Sequence, residues 1–128
     1  MTPLAAEWVT KAEGDYATAR RELRARKQPN FDAVCFHAQQ CAEKYLKALL
    51  QERHLPIPRT HNLEALAKPL LTERASLKTV AAALRTLGTY AVETRYPGKS
   101  ADRALAKEAL GLCVNIRRVC RRALKAKK

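Results

Sequence analysis

The stretch Val34-Cys35-Phe36-His37-Ala38-Gln39-Gln40-Cys41-Ala42-Glu43-Lys44-Tyr45-Leu46-Lys47-Ala48-Leu49-Leu50 decides the fold. Val34, Ala38, Cys41, Tyr45 and Leu49 form one apolar row at helical spacing, and Cys35, Ala42, Leu46 and Leu50 form a second. Two adjoining rows make an apolar face too wide for a surface helix, so this helix belongs inside a bundle. Its boundaries are marked by composition. Lys27-Gln28-Pro29 breaks the chain before it and Asn30 can cap its start. The segment Leu55-Pro56-Ile57-Pro58 enforces an extended connector, so the helix ends near His54.

On either side the same period recurs. Thr2-Pro3 opens a first helix running to about Ala25, with Leu4, Trp8, Ala12, Tyr16, Ala19 and Leu23 facing inward. Thr60-His61-Asn62 begins a shorter helix through Leu63, Leu66, Leu70 and Leu71, with a kink or break expected at Pro69. A further helix spans about Leu77 to Glu93, with Val80, Leu84, Leu87 and Ala91 in the core. Arg95-Tyr96-Pro97-Gly98-Lys99 reads as a turn. Ser100 is placed to cap the last helix, with Asp102 in its first turn. Leu105, Leu112, Ile116, Val119 and Ala123 face inward there, widened by Cys113, Cys120 and Leu124. The expected fold is all-α: an up-and-down antiparallel bundle of four long helices plus a short one, in one domain over residues 1–128.

Composition agrees. Apolar residues make up 47% of the 128 but aromatics only 5%, so the core is built mainly from Leu, Ala and Val. A chain of this length buries about two-thirds of its unfolded surface and needs neither a disulfide nor a metal to fold. Cys35, Cys41, Cys113 and Cys120 lack zinc-knuckle spacing and read as reduced core thiols, any disulfide having to link two helices. Met1 to Trp8 has no apolar leader core, and no run approaches the roughly 18 apolar residues of a membrane span. The expectation is a cytoplasmic protein with no membrane contact.

The charge is the clearest functional cue. Twenty-five Lys and Arg against twelve Asp and Glu leave a formal net charge of +13, which attracts polyanions. After Ile116, Arg117, Arg118, Arg121, Arg122, Lys125, Lys127 and Lys128 are accompanied by no acid; they read either as a binding arm or as a solvated tail suited to a helix C-terminus. No glycine-rich phosphate loop or nucleophile elbow is present, no carboxylate dyad can be read, and His37, His54 and His61 have no metal-ligand spacing. No cofactor or metal is expected. Two places carry interest. The polar set from Gln39 to Lys47 reads either as a salt-bridged exterior or as a binding face, with Glu43 and Lys47 able to pair along the outside. Thr94-Arg95-Tyr96-Pro97 reads either as a packed turn or as a clamp in which Arg95 holds a phosphate and Tyr96 stacks a base.

Phe36-His37-Ala38-Gln39-Gln40-Cys41-Ala42-Glu43-Lys44, followed by Leu46-Lys47-Ala48-Leu49-Leu50, resembles the signature helix of the HEPN family, the nucleotide-binding domain of higher eukaryotes and prokaryotes. Three other pieces resemble the family in order: Trp8, Ala12 and Asp15 its first helix; Thr60-His61-Asn62-Leu63 its Thr-His-Asp-Leu segment; Arg95-Tyr96-Pro97 its Arg-Tyr-Pro turn. The resemblance implies a helical bundle that forms a homodimer, binds a nucleotide or RNA, and works beside a minimal nucleotidyltransferase in a two-part, toxin-antitoxin-like system. Many HEPN domains are metal-independent RNases whose motif is an Arg, four to six residues, then a His. Here Arg95 is followed at those positions by Ser100, Ala101 and Asp102, and Arg53 stands one residue too far from His61. The leading expectation is therefore a noncatalytic binding module with Arg95, Tyr96, Glu43, Lys44 and Lys47 as binding residues. The alternatives are an RNase with a displaced histidine, for which Arg95 and His61 are the catalytic candidates, and a purely structural interaction subunit.

Overall fold

The computed structural model describes residues 1–72, 75–94 and 96–125, with only the backbone of Ala75. Helix α1 spans Pro3–Arg24, α2 Phe31–Glu52 and α3 Leu63–Leu71; a 3-10 helix follows over Ala75–Val80, then α4 Ala81–Glu93 and α5 Arg103–Lys125. No strand occurs among the described residues, and no helix there is long and apolar enough to cross a membrane. Helix α2 is the hub and packs against α1, α3, α4 and α5. Both of its apolar rows are buried, so the wide apolar face finds a partner on every side.

Local chemistry sets the ends. Thr2, Asn30 and Asn62 each accept a backbone N–H with the side chain at the starts of α1, α2 and α3. Helix α2 stops in a Schellman motif. The His54 N–H donates to the Gln51 carbonyl and the Leu55 N–H to the Leu50 carbonyl, with His54 in the left-handed region at φ 57°.

Several expectations need correction. The inward row of α1 is Ala5, Ala12, Asp15 and Ala19, while Leu4 is 55% exposed and Trp8 only partly buried. Alanines seven residues apart let α1 lie close against α2, which turns the larger side chains to the edge. Glu43 and Lys47 do pair, but inside the protein rather than along its outside. The segment before α4 is a 3-10 helix: Leu77 and Val80, three residues apart, both reach the core, matching three residues per turn. The cap of α5 is Asp102, whose Oδ1 accepts the Leu105 N–H at 2.8 Å. The Asp32 carboxylate takes the Ala101 N–H at 2.6 Å, so Ser100 and Ala101 stay outside the helix. Helix α3 includes Pro69 and ends two residues later. All four cysteines are buried and free, and burial pushes the Cys35 thiol up to about 11.

His54 occupies a backbone conformation that costs a side chain with a Cβ about 1–2 kcal/mol and glycine little. His54→Gly is expected to stabilise the protein by about 1 kcal/mol in urea unfolding; a loss of stability would show that the helix end is held by something other than the Schellman turn.

Candidate functional site

Three carboxylate-centred clusters, one on α2 and two on α1, tie different elements together. The first is built on Glu43, which lies one turn from both Gln39 and Lys47 and is 2% exposed. A carboxylate so enclosed needs cations and donors around it. Lys47 Nζ donates to Oε2 at 3.0 Å and Gln39 Nε2 contacts Oε1 at 3.4 Å. The third partner comes from the connector: His61 Nδ1 lies 3.1 Å from Oε1 and 3.2 Å from Oε2. A carboxylate only accepts, so Nδ1 carries the hydrogen. Gln39 Nε2 also donates to the His61 carbonyl at 3.0 Å, fixing backbone and ring together. The His61 side chain is nevertheless 72% exposed, and the cleft described below opens beside it.

The second cluster centres on Asp15 of α1, whose Oδ1 lies 2.8 Å from His37 Nδ1 and whose Oδ2 accepts from Lys44 Nζ at 2.5 Å. Lys47 Nζ stands 5.2 Å from the Trp8 ring centroid, so its charge also meets an aromatic face. The third cluster ties α1 to α5. Arg117 makes a bidentate pair with Glu13 at 2.7 and 2.6 Å, and the Tyr45 hydroxyl donates to Glu13 Oε2 at 2.5 Å. The Arg117 guanidinium holds the Glu13 carboxyl below its ordinary value of 4.5, against the upward push of burial; Tyr45 and Arg121 add to the lowering. Burial and the Glu13 acceptor raise the Tyr45 hydroxyl, and Glu13 raises the Arg117 guanidinium.

His61 stands at a cleft of about 570 Å³ between the α2–α3 connector and α4. Leu63, Leu84, Ala91 and Val92 give it an apolar wall, and Gly88 adds no side chain to that wall. Its polar atoms come from Gln39, Thr60, His61, the start of α3, Arg85, Thr89 and Glu93. Arg85 Nε donates to Glu64 Oε2 at 3.2 Å in an exposed pair. Such a pair is worth little, which leaves the guanidinium available to a stronger anion.

The structure brings Glu43, Lys47 and His61 together, places Lys44 on Asp15 one turn away, and leaves Tyr96 exposed. Arg95 lies outside the described residues. Lys44 and Lys47 are each neutralised by a carboxylate, so their geometry is that of positioning groups. Sequence reasoning misses Arg85, the His37–Asp15 pair and the Glu13–Arg117 pair. Only the chain fold brings these residues together, and no local spacing signals them. Among the described residues no group of three His, Cys, Asp or Glu side chains is arranged to hold a metal ion.

The family model for the HEPN domain matches residues 5–123. Among solved structures, TT1696 from Thermus thermophilus is 26% identical and superposes with a TM-score of 0.82, covering 95% of this chain and 99% of that one. ST0689, an archaeal HEPN homologue, is 24% identical with a TM-score of 0.73, covering 94% and 98%, a likeness of fold. No curated protein matches the sequence.

The Glu13–Arg117 pair gives a pH prediction. Because the folded carboxyl titrates below its unfolded value, its stabilisation is complete above the unfolded value and is lost as pH falls through the folded one. Glu13→Gln is expected to lower stability by about 1–2 kcal/mol at pH 7 and by progressively less toward pH ~3. A deficit that stays constant across that range would mean the carboxylate charge is not what holds α1 to α5.

Proposed function

The chain belongs to the HEPN domain family, and from that premise we propose that it is a noncatalytic module that binds a nucleotide through its phosphate in the cleft beside His61. The observation that carries the reading is the convergence of three anion-binding features on one cleft: the His61 ring held from behind by buried Glu43, the first turn of α3, and Arg85. The His61 Nε2, when protonated, donates to a phosphate oxygen; the α3 N-terminus contributes the positive end of its dipole; Arg85 exchanges Glu64 for the phosphate. The apolar wall from α3 and α4 suits the flat face of a base, and the cleft lies within the size range of small-ligand sites. Glu43 and Lys47 position His61 rather than touch the ligand. Tyr96 is 64% exposed and is kept in this reading as the aromatic that stacks a base. The remaining parts of the reading are a homodimer, a minimal nucleotidyltransferase partner and a role in a two-part cytoplasmic system. They rest on the family resemblance.

A second reading keeps the same cleft and makes it an RNase. His61 and Arg85 both line it, which supplies a proton-transfer group and a charge-stabilising group to one space without the sequence motif that usually joins them.

Calorimetric titration with AMP and ATP in low salt tests the binding reading. His61→Ala and Arg85→Ala are each expected to weaken binding about tenfold, the loss typical of one charged hydrogen bond; Arg85→Ala leaves the melting temperature unchanged, whereas His61→Ala lowers it because buried Glu43 loses a partner. Unchanged affinity in both variants would remove the cleft from consideration. Incubation of mixed-sequence RNA in EDTA separates the two readings: the binding module leaves RNA intact, whereas cleavage lost in both variants would establish the RNase.

A further inference from the structure

We infer that the groove between α1 and α5 is a track for the phosphodiester backbone of a single-stranded nucleic acid, built from Arg20, Arg24, Arg103, Lys107, Arg117 and Arg121. This surface is formed by elements other than those of the cleft and does not depend on the nucleotide reading.

The first observation is how charge is sorted. The described carboxylates are mostly engaged by groups of the protein itself. Glu13, Asp15, Glu43, Glu52 and Glu64 pair with cations, Glu22 and Asp32 take backbone N–H groups, Asp102 caps α5, and Glu108 accepts from Tyr90. Cations outnumber carboxylates about two to one, so the excess of positive charge sits on the surface.

The second observation is where that excess gathers. Helices α1 and α5 run antiparallel side by side: Glu13 meets Arg117, and Arg103 Nη1 reaches the Leu23 carbonyl at the other end. Helical spacing sets Arg20 and Arg24 along the α5-facing edge of α1, and Arg103, Lys107, Arg117 and Arg121 along the facing edge of α5. From Arg103 to Arg121 the row is about 27 Å long. Glu13, the carboxylate between the rows, is engaged by both Arg117 and Arg121. Arg20, Arg24 and Lys107 are exposed, and no carboxylate among the described residues pairs with them.

The third observation favours nucleic acid over an acidic protein. Guanidiniums in the groove lie over aromatic rings: Arg117 at 4.3 Å and Arg20 at 5.3 Å from the Tyr16 centroid, Arg103 at 5.0 Å from that of Phe31. Guanidiniums held over rings keep their planar donor forks for phosphate oxygens and stack readily on bases, and all but one of the groove's cations are Arg. Exposed Val114 adds an apolar strip between them. A row of cations along two antiparallel helices suits a flexible strand better than the curved backbones of a duplex.

The test is fluorescence anisotropy with a labelled twelve-nucleotide uridine oligomer, the corresponding thymidine oligomer, a hairpin duplex and polyglutamate, each at two salt concentrations. The variant R20E/R24E/K107E replaces exposed side chains that hold no carboxylate. The charge-matched control K68E/K78E/K99E alters exposed residues elsewhere. Circular dichroism checks that both remain helical. The wild type is expected to bind both single strands in the micromolar range, more weakly at higher salt. The groove variant is expected to lose at least about tenfold at low salt and to show a salt dependence shallower by about two to three charges, with the control losing less than about threefold. Equal losses in the two variants would reduce the effect to net charge and overturn the proposal. So would tighter binding to polyglutamate or to the duplex. His61→Ala is expected to leave oligomer binding unchanged, so failure of the groove and failure of the nucleotide cleft remain distinguishable.

Discussion

A carboxylate enclosed in the middle of the hub helix is the constraint on which the rest of the site depends. Glu43 is almost fully buried, and an isolated charge there would cost several kcal/mol. Lys47 supplies part of the compensation from the next turn of the same helix. The rest has to come from outside α2, and it comes from His61 at the end of the proline connector. The chain between α2 and α3 is therefore pinned to a chosen point of α2. That point fixes where α3 begins, and with α4 it fixes the walls of the cleft. The same logic repeats at Asp15, which draws His37 and Lys44 to α1, and at Glu13, which draws Arg117 from α5. Each of these acids on α1 and α2 is a joint between elements.

The joints also explain which parts of the fold are legible in the sequence. The five α-helices, the caps at Thr2, Asn30 and Asn62, and the end of α2 near His54 follow from local spacing and turn chemistry. The misreadings have a common cause. Size and apolarity place Leu4 and Trp8 inward, yet the contact of α1 with α2 is close enough to favour alanine. Charged pairs four residues apart usually face water, which places Glu43 and Lys47 outward, yet α2 packs against four other helices and encloses Glu43. Ser100 loses the cap to Asp102 because Asp32, 69 residues away, captures the Ala101 N–H. In each case tertiary packing overrides a local rule.

For the site, the stretch from Gln39 to Lys47 and the His61 segment are visible in sequence as dense polar residues. Their mutual geometry is not. Arg117 pairs with Glu13 across 104 positions, and His37 with Asp15 across 22. Such pairings exist only once α1, α2 and α5 are packed. Composition likewise gives a net charge but not its sorting. The protein turns most of its carboxylates toward its own donors and leaves its excess guanidiniums at the surface.

Glu43 holds the His61 ring by Nδ1, and nucleotide binding in the cleft uses the other ring nitrogen, Nε2. Nitrogen-15 NMR of the His61 imidazole at neutral pH tests it most directly. The wild type is expected to show a protonated Nδ1 and an Nε2 resonance that shifts as AMP is added, and Glu43→Ala to lose the Nδ1 preference. An unprotonated Nδ1 in the wild type would contradict it, because such a nitrogen cannot donate to the carboxylate.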